Sequence, residues 1–520
     1  MVGYAMNWFD IFLLPTMVLL PCLGACFVAL MPPTDRISLR HLGMGTSILA
    51  GLCSLRIVWL VLETGSSIVF NSATHTFSLF DLPLLVEGLQ LPFLLCIHIV
   101  CPMALRAGAP RIGHFTRSYV ILILLFQAIA AACLLCRNPL PSLFFAQLLS
   151  IPALMLLVFF GGPRKGSTAL RVGIFWVTAD VICFAALLYL AGGEEITTAQ
   201  ALTQKAEQLP YPIQIVLGSA LIASGAIRLG LVPFSSWIKD VLEQAPVSLA
   251  ALIVGVILPL GGFLAFRWAM VIVPEGVEDI FPIWVLVSLV GAALGACLAV
   301  IERDLRSVVA AHMIFFVHIA FMGLVSRSIA STTSAVMLLG MMGLTGAFAI
   351  FLIDALDRRI QTRDVTELNG LASQCPPLWR LLIFAHAMMT GAPFLGIGMV
   401  LAPTLFYLGL SISESQGNLW NWNGVIYFSI LGVLWVLLFT SFTSLLRRTL
   451  MPRPKSRQFV GLNVKQTLRL WIPAWLVVLF SVFAPWFTEQ ISALHHSTST
   501  ERTSLSSDQQ FTPRVSHDKE

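Results

Sequence analysis

Charge is scarce in this chain. Asp, Glu, Lys and Arg supply 11% of its 520 residues, where a soluble domain carries roughly 25%. That scarcity excludes a water-soluble globular protein, and no stretch is polar enough for long enough to form a separate soluble domain. A phosphate-binding glycine loop, a flavin motif and a run of cluster ligands are also missing; "GIGMV" at 396–400 lies inside an apolar span. Ten cysteines are present, but none forms a paired CxxC array and all except Cys375 fall in apolar stretches, so they read as small core residues. The sequence therefore predicts no cofactor, no metal and no catalytic centre of its own, and nothing marks a nucleic-acid partner. The net charge of +5 says little without the positions of the charges.

What the chain has in abundance is apolar length. Hydrophobic residues make up 57%, in blocks of about 20 separated by short polar joints, the pattern of an all-α polytopic membrane protein. About fourteen spans can be counted, from 9–31 to 468–488. The first has no basic segment before it and is too long for a signal-peptide core, so it is expected to be retained. Alternate joints carry the basic residues, among them Arg36, Arg40, Arg106, Arg117, Arg164, Arg171, Lys239, Arg303, Arg306, Arg358 and Arg363. The opposite joints carry Asp81, Glu87, Glu194, Glu195, Glu275 and Asp279. Basic joints stay on the cytoplasmic side, which predicts both termini outside, in the periplasm of a bacterial inner membrane. The Ser/Thr-rich stretch from 491 to 520 is expected to be a disordered polar tail.

A few polar groups lie inside the apolar spans. Arg56, Arg267, His312 and Asp354 sit near span ends, where long side chains snorkel. His98, His318 and His386 read either as satisfied packing residues or as proton carriers. Asp180 and Arg228 lie deep and are ionised by default, so they need a function or a partner. Two spans carry internal prolines: Pro233, one turn past Arg228 in the seventh, and Pro393 with Pro403 in the twelfth. If spans four to eight and nine to thirteen are two inverted five-helix repeats, these discontinuous helices occupy corresponding places, the usual pointer to an ion path.

Residues 225–267, "GAIRLGLVPFSSWIKDVLEQAPVSLAALIVGVILPLGGFLAFR", resemble the signature of the antiporter-like membrane-arm subunits of respiratory complex I. "GLQLPFLLCIHIVCPMALRAG", "FFAQLLSIPALMLL", "IERDLRSVVAAHM", "DRRIQTRDVTELNGLA" and "MMTGAPFLGIG" agree. The Gly261–Gly262 pair and "TRD..EL.GL" resemble the chain M type, within a superfamily that includes Mrp cation/proton antiporters and membrane-bound hydrogenases. The likeness runs from about 80 to 410, framing an antiporter-like module between N-terminal spans at 1–79 and C-terminal spans at 411–490.

The resemblance implies a module that moves protons through half-channels joined by charged residues, working beside other membrane-arm subunits and lipid in an NADH:quinone oxidoreductase. It places a glutamate on the fifth span, lysines on the seventh and eighth, and a charged residue on the twelfth. Here those positions hold Gln147, Arg228, Pro259 and Leu401. A lysine can lose its proton when desolvated, whereas arginine stays charged. Glutamine, proline and leucine carry no proton at all. The expected activity is thus a degenerate relay with weak or lost pumping; the alternative is a non-translocating scaffold, or a subunit of an Mrp-type or hydrogenase complex. With the fifth-span glutamate gone, Asp180 is the one carboxylate well inside a first-half span, about 15–18 Å along the sixth helix at 1.5 Å per residue. It is the expected counter-ion of Arg228. The competing expectation is that Arg228 bonds carbonyls released by the break at Pro233.

Overall fold

In a bilayer every backbone N–H and C=O must be satisfied within the segment, so long apolar blocks fold as helices. The computed structural model describes residues 8–65, 67–70, 83–112, 115–192, 199–278, 280–326, 328–393, 395–414, 422–451, 471 and 473–493. The polar tail beyond 493, and Asp81, Glu194, Glu195 and Asp279, lie outside the described residues.

Among the described residues, thirteen helices are long and apolar enough to cross a membrane. The twelfth span is absent from that number because it is broken into Pro376–Met389 and Gly398–Glu414. Counted as one crossing, it restores the expected fourteen. The seventh is broken likewise, into Tyr211–Leu229 and Ser236–Gln244. Both breaks use the same chemistry. A glycine with positive φ ends the first piece (Gly230, φ 73°; Gly391, φ 75°), and a proline follows at 233 or 393. Glycine enters that left-handed conformation without a Cβ clash, and proline has no N–H to continue the ladder. Pro403, by contrast, lies inside the helix Gly398–Glu414.

The eighth span contains an irregularity that the sequence pattern does not announce. Val247–Leu252 passes into a π-turn, Ile253–Ile257, before Leu258–Ile272 resumes the α-helix. Pro259 stands at the restart and has no N–H, and Leu258 N–H reaches back five residues to Ile253 O. A second unexpected feature is a small antiparallel sheet pairing Ile68–Phe70 with Leu84–Val86, a β addition to the expected all-α fold.

The spans sort by depth in the bundle. Every residue of the tenth and eleventh apolar windows is buried, against 17% of the thirteenth and 39% of the first, so the tenth and eleventh form the axis. Successive joints alternate between the two ends. At one end Arg117 Nη1 donates to Met31 O (3.4 Å), Gly162 N–H to Gln244 O (2.7 Å), and Leu305 N–H to Arg363 O (3.0 Å). At the other, Arg137 N–H donates to Pro83 O (3.0 Å) and Thr203 Oγ1 to Val271 O (3.0 Å). Most basic joint residues among the described ones thus share one end, while Arg137 lies at the other.

Two expectations are corrected. The ten cysteines are not all core residues: Cys26 and Cys297 are exposed on the outside of the bundle, where a small thiol suits an apolar surround. Arg267, His312 and Asp354 do not snorkel outward. Arg267 is buried with its guanidinium 4.8 Å from the Trp268 ring centroid, His312 is fully buried, and Asp354 is buried 2.5 Å from Arg358. Helical packing on neighbouring spans closes over all three.

Candidate functional site

Arg228 occupies the last turn of Tyr211–Leu229, directly before the seventh-span break. The glycine pair of the eighth span lets that helix close on it. A Cβ at Gly261 would lie 3.4 Å from Arg228 Cβ, and one at Gly262 only 2.9 Å from Leu229 Cδ1. From the sixth span, Lys165–Ala191, Asp180 faces the same spot. Arg228 Nε donates to Asp180 Oδ1 at 2.6 Å and Nη2 to Oδ2 at 2.5 Å, a planar fork on a carboxylate. Nη2 also donates to Ala146 O of the fifth span at 3.2 Å. The side chains retain 11% and 7% of their exposure. Beside the pair lies a cavity of about 20 Å³, room for about one water molecule. Leu143, Ser224, Gly225 and Trp268 line it together with the ion pair.

Among the described residues Arg228 bonds Asp180 and the Ala146 carbonyl and no carbonyl of the break, which has contacts of its own. Gly230 N–H and Trp237 Nε1–H both donate to Ile227 O (3.2 Å each), and Leu231 N–H donates to Ala226 O (2.8 Å). The remaining donor, Val232 N–H, reaches His318 Nε2 on the tenth span at 2.9 Å. His318 Nδ1 pairs with Ile314 O at 2.5 Å. A carbonyl only accepts, so His318 is neutral with its proton on Nδ1, and both ring nitrogens are occupied. Space for the ring comes from Gly291 of the ninth span, where a Cβ would collide with it at 1.9 Å.

The remaining singled-out residues fall elsewhere. Gln147, next to the Ala146 carbonyl, points a buried Oε1 that has no hydrogen-bond partner among the described residues. Pro259 packs against the eleventh span, 3.0 Å from where a Cβ of Gly343 would stand. Leu401 is buried in the second piece of the twelfth, beside Gly391. Pro393 stands exposed in the break itself. His386, on the first piece of the twelfth, joins a separate cluster with His312 and Ser441.

Sequence reasoning missed Arg306. Read as a joint cation, it is 4% exposed, and its Nη1 donates to Leu242 O (3.2 Å) and Ala245 O (2.7 Å), capping the second piece of the broken seventh helix. The signal available was its place inside "IERDLRSVV", one of the segments that carried the resemblance. The Ala146 carbonyl and Ser441 left no signal of their own.

Residues 138–422 match the family described as NADH:quinone oxidoreductase/Mrp antiporter, TM. Among curated relatives, NAD(P)H-quinone oxidoreductase chain 4 2 of Synechococcus elongatus is 23% identical over 425 residues, covering 78% of this chain and 76% of the relative. NADH-quinone oxidoreductase subunit M of Rickettsia conorii is 20% identical over 309 residues, 59% of this chain and 62% of that one. In fold, the chain is similar to one in respiratory complex I from Thermus thermophilus (TM-score 0.77, 19% identity, 92% of this chain and 98% of that one). It is equally similar to a chain of the Mrp complex from Dietzia (TM-score 0.79, 14% identity, 94% and 97%).

Proposed function

Since the chain belongs to the NADH:quinone oxidoreductase/Mrp antiporter transmembrane family, we propose that it is a membrane-arm subunit of a complex-I-like, proton-linked respiratory complex whose first-half relay is fixed in one charge state. The observation that carries this reading is the Arg228–Asp180 fork. At the depth where the family resemblance implies a switching lysine, a permanent cation is held by a carboxylate and a carbonyl from two neighbouring spans. Gln147, Pro259 and Leu401 offer no titratable group at the other three positions. The roles of Arg228 and Asp180 as a static pair, and of His318 as the neutral support of the break, follow from that chemistry. Pumping through this subunit is accordingly weak or lost, and its contribution is to transmit structure along the arm of its host.

Sharing of one end by most of the basic joint residues supports the cytoplasmic assignment of that end, with both termini periplasmic in a bacterial inner membrane. The equal likeness to an Mrp-complex chain supports a second reading, a subunit of a cation/proton antiporter assembly. Isolation of the native protein in mild detergent separates the two. A particle that carries quinone-reducing partner chains and oxidises NADH fits the first reading. A particle without electron-transfer chains that exchanges sodium for protons fits the second.

A further inference from the structure

Three spans converge on a second buried polar cluster, away from the ion pair. His312 comes from the tenth span, His386 from the first piece of the twelfth, and Ser441 from the thirteenth, all at most 5% exposed. His312 Nδ1 lies 2.7 Å from Val308 O. Ser441 Oγ lies 3.3 Å from His312 Nε2 and 3.3 Å from His386 Nε2. The imidazole centroids are 5.1 Å apart.

These contacts fix where the hydrogens are. Val308 O can only accept, so the neutral His312 ring has its proton on Nδ1 and a lone pair on Nε2. Ser441 must then donate its O–H to His312 Nε2. That leaves the Ser441 oxygen to accept from His386, whose proton is therefore on Nε2. The chain of donors runs one way, from His386 through Ser441 to His312. Its open end is His386 Nδ1, a lone pair with no hydrogen-bond partner among the described residues. His318 offers a contrast, because both of its nitrogens are already committed.

We propose that His386, Ser441 and His312 form a proton-binding relay that holds one excess proton between two imidazoles. This rests on the reading of the chain as a proton-linked subunit, and it places its remaining proton chemistry in the second half. A proton adds to the His386 Nδ1 lone pair. The Nε2–H bond of His386 breaks as that proton passes to Ser441 Oγ, while the Ser441 O–H proton moves to His312 Nε2. His386 is left neutral with its proton on Nδ1, and His312 carries the positive charge, so one proton enters and one charge moves across the serine. A second proton is opposed by like charge at this ring separation. His386 lies in the last turn of Pro376–Met389, beside the twelfth-span break, where the carbonyl end of a helix favours a cation. The relay thus joins the break of the twelfth span to the buried axis of the bundle.

The test uses the full chain in liposomes, with a potassium diffusion potential driving protons and an internal pH dye reporting flux. Wild type should conduct above empty liposomes. Ser441→Ala should lower the flux by about 100-fold, the scale on which a positioned proton carrier acts, and Ser441→Thr, which keeps the hydroxyl, should restore it. An unchanged flux in Ser441→Ala overturns the relay. No flux in wild type also overturns it, yet leaves the proposed function standing, because a fixed subunit is expected to pump little. Nitrogen-15 spectra of histidine-labelled wild type give a check that no variant can spoil by misfolding: His312 should be protonated on Nδ1 and His386 on Nε2. Any other pair of tautomers contradicts the relay.

Discussion

An arginine in the middle of an apolar bundle must be neutralised, and the chemistry of its partner decides what it can do. Arg228 stays protonated in any protein environment, and Asp180 meets its planar fork with two short bonds. Asp180 was legible in the sequence because no other first-half span carries a carboxylate at comparable depth. The Ala146 carbonyl was not legible, since any backbone oxygen could have filled that place. The competing expectation, that Arg228 serves the broken seventh helix, finds no support in its contacts, because its hydrogen bonds run to Asp180 and the Ala146 carbonyl and to no carbonyl of the break. Removing one member of a buried pair leaves the other uncompensated, at a cost of about 3–5 kcal/mol. Asp180→Leu or Arg228→Leu alone should therefore sharply reduce the folded chain recovered in detergent. The double replacement should recover most of it, because two apolar residues of similar volume strand no charge. If the double variant loses as much as the two single losses added together, the residues are not coupled.

At the scale of elements, the two broken spans were readable from their internal prolines, residues that stop a helix locally. The rest depended on residues far apart in sequence. His318 supports Val232 from 86 positions away, and His312 meets Ser441 across 129. No periodicity within one helix encodes such pairs. Pro259 did carry a local signal for the π-turn, but an isolated proline predicts a disturbance without its type. The break of the seventh span should depend on the acceptor that His318 provides. His318→Leu strands a buried N–H and should destabilise the chain by about 1–3 kcal/mol, read as a lowered melting temperature in detergent. His318→Gln keeps a carbonyl acceptor and should cost less. Gly291→Ala should resemble His318→Leu, because its methyl group would occupy the space of the imidazole. Equal melting temperatures for wild type and Gly291→Ala would show that the ring is not held there.

For the whole molecule, composition alone fixed the class, and the distribution of basic joints anticipated the way the joints gather at two ends. What it could not reveal was which spans form the axis, since the tenth and eleventh are no more apolar by pattern than the lipid-facing ones. Burial is settled by contacts between spans. A reporter enzyme fused after residue 490 should be active only outside the membrane, and one placed within 358–377 only in the cytoplasm. A cytoplasmic C-terminus would remove one crossing and displace the correspondence between the seventh and twelfth breaks.

The central claim is that this subunit keeps the family fold while its proton-switching row is held in one state. The proton-to-electron ratio of the assembled complex in membrane vesicles tests it most directly, comparing the native chain with Gln147→Glu, Arg228→Lys, Pro259→Lys and Leu401→Glu combined. A fixed row predicts a lower ratio for the native complex and a rise once titratable residues are restored. An unchanged ratio in the restored complex, or a native ratio already at the value of relatives with the full row, would contradict it.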